Sequence, residues 1–327
     1  MKTKVVFSSA ILLLFCCATV SAQWPHYTYA NNTGWEVELG ARIMDRPGRA
    51  GQQQLNLVTM VPTNQVVFTA SDATDLDASM GAEFRFLRTE CYDRQWEVRG
   101  YFNSWENVEY RSGNLRAPVF TPTFAGLPAQ IRPSRFDYSY ESDLFNIELM
   151  CKKSIAAGLT CMIGPRFVNL DEESVLDTDF ITPLDNTFLL NIRSRTRTRN
   201  RMPGLGFGLE CRRPLARELF FVGSIRGAIL ANFAKTDTIT TINNVANVTV
   251  FDDSRTNAAG IGELSGRFHY DIAPGTVSGY LGYEAMWLDG VTLSPGQLLA
   301  NVGPGPVEMT FNTAFIHGLV FGCMIRW

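Results

Sequence analysis

The chain has 327 residues and a formal net charge of −3, which argues against a general nucleic-acid binder. It contains 22 Phe, 10 Tyr, 6 Trp and 27 Gly, a composition that suits a protein with an apolar exterior and a polar interior, or a large soluble β protein. After residue 22, no apolar run is long enough for a membrane helix. A closed β-barrel is therefore the structure by which this chain would cross a bilayer.

Residues 1–22 have the form of a secretory signal peptide. Lys2 and Lys4 precede a long apolar run, and small residues ending at Ala22 provide a cleavage site. We expect the mature, exported protein to be a single domain over 23–327.

Strand periodicity, with apolar residues on one face and charged residues and glycine on the other, recurs along the rest of the chain. The predicted strands are 34–44, 80–90, 94–106, 141–152, 155–169, 204–213, 218–233, 258–271, 277–289 and 315–327.

The connections between these strands alternate between long and short. Long loops are expected at 45–79, with room for a short hairpin, at 107–140, around the acidic residues 171–173, and at 235–257. A further Gly- and Pro-rich loop, through Pro304 and Pro306, is expected before the last strand. Short turns are placed at Cys91-Tyr92-Asp93 and at Lys153 and Ser154. This alternation predicts an all-β, antiparallel, up-and-down transmembrane barrel of about ten strands, with short periplasmic turns and long extracellular loops.

Two alternatives to a ten-stranded membrane barrel follow from the sequence. The count becomes twelve if 132–140 or the Arg-Thr stretch near residue 195 adds strands. A soluble β-sandwich is the alternative to a membrane barrel, although Greek-key crossings give no reason for alternating loop lengths.

Acidic and basic residues share the face that would point inward. They either line a polar lumen or pair across it and fill it, since a barrel of about ten strands is narrow. The predicted lumen-lining residues are Glu36, Glu38, Arg42, Glu83, Arg85, Glu97, Arg99, Glu148, Arg166, Glu210, Arg212, Arg226, Glu263, Arg267, Glu284 and Arg326, together with Lys152.

An arginine repeat precedes the sixth predicted strand. In an extended chain, one face would carry Arg193, Arg195, Arg197, Arg199 and Arg201. This face is either an anion-attracting ladder, at a pore mouth or against lipid phosphates, or a solvated strand extension paired with the preceding acidic residues.

The last segment ends on an aromatic residue. Phe321, Ile325 and Trp327 share its apolar face, a pattern typical of the closing strand that the barrel-assembly machinery reads in outer-membrane proteins. The five cysteines of the mature chain have no tight spacing. We interpret Cys91, Cys151, Cys161, Cys211 and Cys323 as small apolar groups and predict neither a disulfide framework nor a metal site.

Four segments resemble outer-membrane barrels that are widespread in planctomycetes and are similar to the Legionella-type major outer-membrane, pore-forming proteins. They are YSYESDLFNIEL at 138–149, GPRFVNLDEE at 164–173, GLECRRPL at 208–215 and FVGSIRGAIL at 221–230. The resemblance implies a porin-like barrel in the bacterial outer membrane and no catalytic residues.

Three functions follow as hypotheses. The first is porin-like, passive passage of small polar solutes, and the second is a non-conducting structural or surface-interaction barrel. The third is an outer-membrane lipid hydrolase using Ser265 and His269, but residues four apart on a strand lie about 13 Å apart, too far for a hydrogen bond. We predict no enzyme activity and no cofactor, with outer-membrane lipid, the assembly machinery and small solutes as partners.

Overall fold

The computed structural model describes residues 34–47, 56–60, 65–69, 76–90, 94–112, 115–116, 132–181, 188–242, 246–301 and 309–327. The predicted signal peptide at 1–22 lies outside these ranges, as does the tight turn expected at Cys91.

Antiparallel strands close into one barrel. Their bounds are β1 Gly34–Arg46, β4 Leu76–Thr89, β5 Arg94–Ser112, β7 Arg132–Ala156, β8 Leu159–Ile181, β9 Phe188–Pro214, β10 Leu219–Ile242, β11 Ala246–Ala273, β12 Val277–Val291 and β13 Asn312–Arg326. Each strand pairs with its neighbour in the chain order of this set, and β1 pairs with both β4 and β13. The predicted up-and-down barrel of ten strands is confirmed, and the alternative of twelve is wrong.

A small separate sheet lies within the predicted long loops. It consists of β2 Asn56–Met60, β3 Gln65–Thr69 and β6 Leu115–Arg116 in the order β3-β2-β6. The hairpin β2–β3 lies where a short hairpin was expected, inside 45–79.

The strand period of two separates an apolar outer face from a polar inner face. On β1, Leu39 and Ile43 point outward and are exposed, while Glu38 and Arg42, which directly precede them, are buried. Exposed tryptophans, Trp35, Trp96 and Trp327, lie at the end that carries the short turns. An apolar band with aromatic residues at its boundary is the exterior of a transmembrane barrel.

Two groups of strands differ in length. The strands β12, β13, β1 and β4 have 13 to 15 residues, close to what a membrane needs, whereas the adjacent strands β7 to β11 have 23 to 28. The barrel therefore has a five-stranded wall that continues beyond the membrane band. We call this extension the wall.

The wall overturns several predicted loops. The acidic residues 171–173 lie in β8, and most of 235–257 belongs to β10 and β11. The Arg-Thr stretch was expected to be extended, and it lies in β9. In these segments both faces are polar, so the contrast that marked the membrane strands disappears although the ladder of backbone hydrogen bonds continues.

A second correction concerns the turn between β7 and β8. It lies at residues 157–158 instead of Lys153 and Ser154, because Gly158 has a φ of 70°. A Cβ at Gly158 would lie 2.4 Å from the Arg212 carbonyl oxygen. Glycine adopts this left-handed conformation without the steric cost that Lys or Ser would have.

One helix, α1 Ser294–Asn301, follows β12. It packs on β8, β9 and β10, and Leu293, Ser294 and Gln297 are buried. Because this segment was expected to be a Gly- and Pro-rich loop, the helix was not predicted. Cys211 is disulfide-bonded, which corrects its interpretation as a free apolar group, whereas Cys151, Cys161 and Cys323 are free.

Candidate functional site

The barrel interior in the membrane band is a network of ion pairs. The residues predicted to line the lumen lie there, and most are fully or nearly fully buried. Their side chains meet across the barrel instead of along one strand. Arg85 of β4 binds Glu97 of β5 at 2.7 Å and Glu38 of β1 at 2.7 Å.

Lys152 connects the ion pairs of Arg85 to the other side of the barrel. Its Nζ lies 2.9 Å from Glu97 Oε2 and 2.9 Å from Glu210 Oε2, so one ammonium group joins β5, β7 and β9. Arg226 of β10 contacts Glu97 at 2.8 Å and also binds Glu148.

A second group is centred on Arg99. Its guanidinium binds Glu284 Oε2 at 3.0 Å and Glu263 Oε2 at 3.1 Å. Arg42 reaches Glu284 at 2.9 Å, and Arg166 pairs with Glu263. Carboxylates and guanidinium groups thus alternate through the centre of the barrel, which is the arrangement that offsets the cost of burying charge.

Two tyrosines complete the network. Tyr101 Oη donates to Glu263 at 2.6 Å, and Tyr280 Oη donates to Glu83 at 2.7 Å. The Tyr101 ring also lies 3.8 Å from the Arg42 guanidinium carbon. This cation–π contact compensates for Arg42 Nε and Nη1, which are buried without a hydrogen bond among the described residues.

The inner face is more open at the end of the barrel that carries the short turns. Arg212 and Arg326 have side-chain exposures of 28% and 19%. Arg326 binds Glu36 at 3.1 Å, and Arg267 higher in the barrel binds Glu83 at 2.9 Å. The charged side chains at this end are thus partly exposed, whereas those at the centre of the barrel are not.

An apolar layer lies above the charged network. It packs Met44, Leu144, Met286 and Ile316 with other residues of the wall and of β13. Trp105 fills this layer, and its Nε1 donates to the Met44 carbonyl oxygen at 2.9 Å. A dry layer of this kind is a second barrier to ions, because it offers them no polar contacts.

Glu172 holds the start of helix α1 against the apolar layer. Its carboxylate accepts hydrogen bonds from Arg46 Nη1 at 2.6 Å, Tyr140 Oη at 2.8 Å, Ser142 Oγ at 3.2 Å and the Ser294 backbone N–H at 2.8 Å. A carboxylate at the start of a helix is stabilised by the free N–H groups there. Burial raises the pKa of Tyr140 well above its ordinary value, so its hydroxyl stays a donor.

Two asparagines hold the segment before the helix. Asn200 Oδ1 accepts the Thr292 N–H at 2.8 Å, and Asn232 Nδ2 donates to the Gly290 carbonyl oxygen at 2.9 Å. The Asn232 amide also donates to Asn200 Oδ1 at 2.9 Å. The chain after β12 is therefore folded inward and fixed to β9 and β10.

The arginine repeat lies on the outer face of the wall, not in the lumen. Arg193, Arg195, Arg197, Arg199 and Arg201 alternate on β9 with the buried Ser194, Thr196, Thr198 and Asn200. Arg195 forms a two-pronged ion pair with Glu173, at 2.7 Å and 2.6 Å, and these hydrogen bonds raise the pKa of Arg195.

The remaining predicted residues occupy two places. Phe321, Ile325 and Trp327 are exposed on the outer face of the last strand, where Trp35 and Trp327 exchange two backbone hydrogen bonds that close the barrel. Recognition of Phe321, Ile325 and Trp327 by the barrel-assembly machinery stays a prediction. His269 is buried between the Phe220 and Tyr280 rings, and the Ser265 hydroxyl bonds to Ser224 at 2.8 Å.

Sequence reasoning missed Asp271 and the role of Glu172. Asp271 faces Arg326 at 3.6 Å and gives the charged interior one carboxylate for each cation. Its position follows from the same two-residue period as Glu263 and Arg267, so the signal was present. Glu172 had no comparable signal, because its partners lie on distant strands and on an unpredicted helix.

No group of residues in the described ranges is arranged to hold a metal ion. Likewise, no helix of the described chain is long and apolar enough to cross a membrane.

No family model and no curated protein sequence matches the chain, so the resemblance to planctomycete and Legionella-type barrels stays a prediction. Solved structures of outer-membrane proteins align over most of its length at low similarity. They include the outer membrane protease OmpT from Escherichia coli, with 7% identity, 94% of this chain and 99% of that chain covered, and a TM-score of 0.41. A major outer membrane protein from Thermus thermophilus has 11% identity, coverage of 90% and 100%, and a TM-score of 0.29. CarO from Acinetobacter baumannii has 10% identity, coverage of 86% and 96%, and a TM-score of 0.27.

Proposed function

We propose that this protein is a bacterial outer-membrane barrel that does not conduct solutes and that presents its wall at the cell surface as a structural or interaction element. The membrane location rests on the closed barrel and on its exposed apolar band with tryptophans at one boundary.

One observation carries the non-conducting proposal. Arg42, Glu97, Lys152 and Glu284, on different sides of the barrel, have no exposed surface. A water-filled path through this layer would expose the side chains that line it. Ion pairs therefore fill the cross-section, with the apolar layer and α1 above them.

Passive passage of small polar solutes is the competing function. It is supported by the charged interior and by the side chains of Arg212 and Arg326 that water reaches from the periplasmic end. This function requires the central ion pairs to open, which would leave several buried charges without partners.

Planar-bilayer recording separates the two functions. The folded, full-length protein is expected to insert without producing steady single-channel currents, while a trimeric porin in the same bilayer provides the positive control. Folding is verified beforehand by comparing the gel migration of boiled and unboiled samples. Reproducible ohmic channels from folded protein would reject the non-conducting proposal in favour of solute passage.

A further inference from the structure

The lower arginines of β9 lie at the upper boundary of the apolar band. Arg201 is paired in register with Phe233 of β10, whose ring is exposed on the outer face. Below Arg201 on the same face of β9, Leu205 and Phe207 are exposed. The outer face of β9 thus changes from apolar to cationic at the level of Arg201. In a bilayer that covers the apolar band, the headgroup phosphates lie at this level.

The cationic charge at this level is shared by two strands. Lys235 of β10 is opposite Arg199, and it also contacts Asp237 at 3.2 Å. Asp171 of β8 is opposite Arg199 on the other side. Within the described part of the chain, Asp171 accepts a hydrogen bond from Asn169 at 3.1 Å and forms no ion pair with Arg199.

Arg199 and Arg201 therefore have free guanidinium groups among the described residues, in contrast to Arg195, which Glu173 already engages. A guanidinium group binds phosphate oxygens through two parallel N–H donors, and it gives up its hydration more readily than an ammonium group does. An exposed aromatic ring beside Arg201 adds a surface for acyl chains. A soluble anion would make no use of that ring.

From this placement we infer that Arg199 and Arg201, with Phe233 beside them, bind the phosphorylated headgroup of a lipid in the outer leaflet. The inference rests on the proposed membrane location and extends it to a defined lipid contact on the outer face of the wall. The lipid class is one whose headgroup carries phosphate, next to acyl chains that pack on Leu205 and Phe207.

The same strand supplies a matched control. Arg193 and Arg195 have the same residue type, strand and outward direction, but Arg193 lies eight residues above Arg201, about 26 Å along the strand. These upper arginines lie beyond the phosphate level. The double variants R199Q/R201Q and R193Q/R195Q therefore remove equal charge at different heights.

Binding is measured by native mass spectrometry on folded, full-length protein in detergent micelles. The probes are a lipid A that carries two phosphates and the same lipid with its phosphates removed. The wild type is expected to bind the phosphorylated lipid at least about tenfold more tightly, a ratio that R199Q/R201Q removes and R193Q/R195Q retains within about twofold.

Three results would overturn the inference. They are equal affinity of the wild type for the two lipids, wild-type affinity in R199Q/R201Q, and displacement of the lipid by millimolar inorganic phosphate, which would assign a site for free anions. The assay needs no membrane, so its failure is distinct from failure of the proposed location, which cell fractionation tests separately.

Discussion

Arg99 shows what a single buried charge contributes to this barrel. Its side chain on β5 binds Glu263 on β11 and Glu284 on β12, so it connects opposite sides of the interior. The two-residue period of the sequence places such residues on one face of each strand. It does not predict their partners, because these depend on the stagger between strands around the closed barrel.

Replacing Arg99 with Met is expected to destabilise the folded barrel by about 3–5 kcal/mol, because two carboxylates lose their shared cation in a buried setting. Equilibrium unfolding in urea, with protein refolded into lipid vesicles, measures this change. Arg255→Met is the control, since Arg255 pairs with Asp253 on the exposed wall, where an ion pair contributes under about 1 kcal/mol. Equal losses of stability in the two variants would contradict a stabilising role for the buried network.

Gly40 permits the contact between Tyr280 and Glu83. A Cβ at this position would lie 2.1 Å from Tyr280 Oη and 2.7 Å from the Phe321 carbonyl oxygen. Gly40→Ala is therefore expected to cost about 1–3 kcal/mol in the same unfolding experiment. The matched control is Gly262→Ala, because a Cβ there meets nothing within 4 Å. The cost should fall in a Tyr280→Phe background, and an unchanged cost would mean that the phenol is not the obstacle.

At the scale of whole elements, the sequence predicts the membrane part of each strand and misses what extends beyond it. Predicted strand 141–152 is the lower part of β7, which begins at Arg132, and predicted strand 204–213 is the lower part of β9, which begins at Phe188. Lipid requires an apolar outer face, so alternation is visible there. Above the band, arginine faces water and threonine faces inward, and hydropathy no longer distinguishes the two sides.

Helix α1 was not predicted for a different reason. It has eight residues, begins with Ser-Pro and includes one glycine, so little intrinsic helix propensity supports it. Glu172 binds its first residue, Ser294, and Asn200 and Asn232 hold the segment just before it; none of these three residues is close to the helix in sequence.

Neighbouring glutamates on β8 test the docking of this helix. Glu172→Gln removes the carboxylate that Arg46, Tyr140 and the Ser294 N–H share, and it leaves the buried Arg46 without a counter-charge. We expect faster amide hydrogen exchange over 294–297, because the helix opens locally at a lower free-energy cost. Glu173→Gln is the control, as its partner Arg195 is exposed. Equal exchange in the two variants would show that Glu172 does not hold the helix.

At the scale of the molecule, the lower and upper parts of the barrel differ in their side chains. The lower interior has cations and carboxylates in equal number and supports the membrane-spanning strands. The wall carries polar residues on both faces and continues into the aqueous phase. The closed topology could be predicted from the alternation of long and short connections, whereas the filling of the lumen could not, because it depends on which side chains meet across the barrel.

In the proposed non-conducting barrel, the charged network and the apolar layer covered by α1 are expected to close the lumen independently of one another. Replacing residues 294–301 with a Gly-Ser segment of equal length removes the helix and its contacts with Glu172 but leaves Arg42, Arg99, Lys152 and their carboxylates in place. Because the charged layer still fills the cross-section, the variant is expected to remain silent in planar bilayers, even at high applied voltage. Its folding is checked by gel migration of unboiled protein, and the positive control is the same porin as for the wild type. Steady channels in this variant alone would show that the helix is the only barrier and that the ion-pair layer admits solutes.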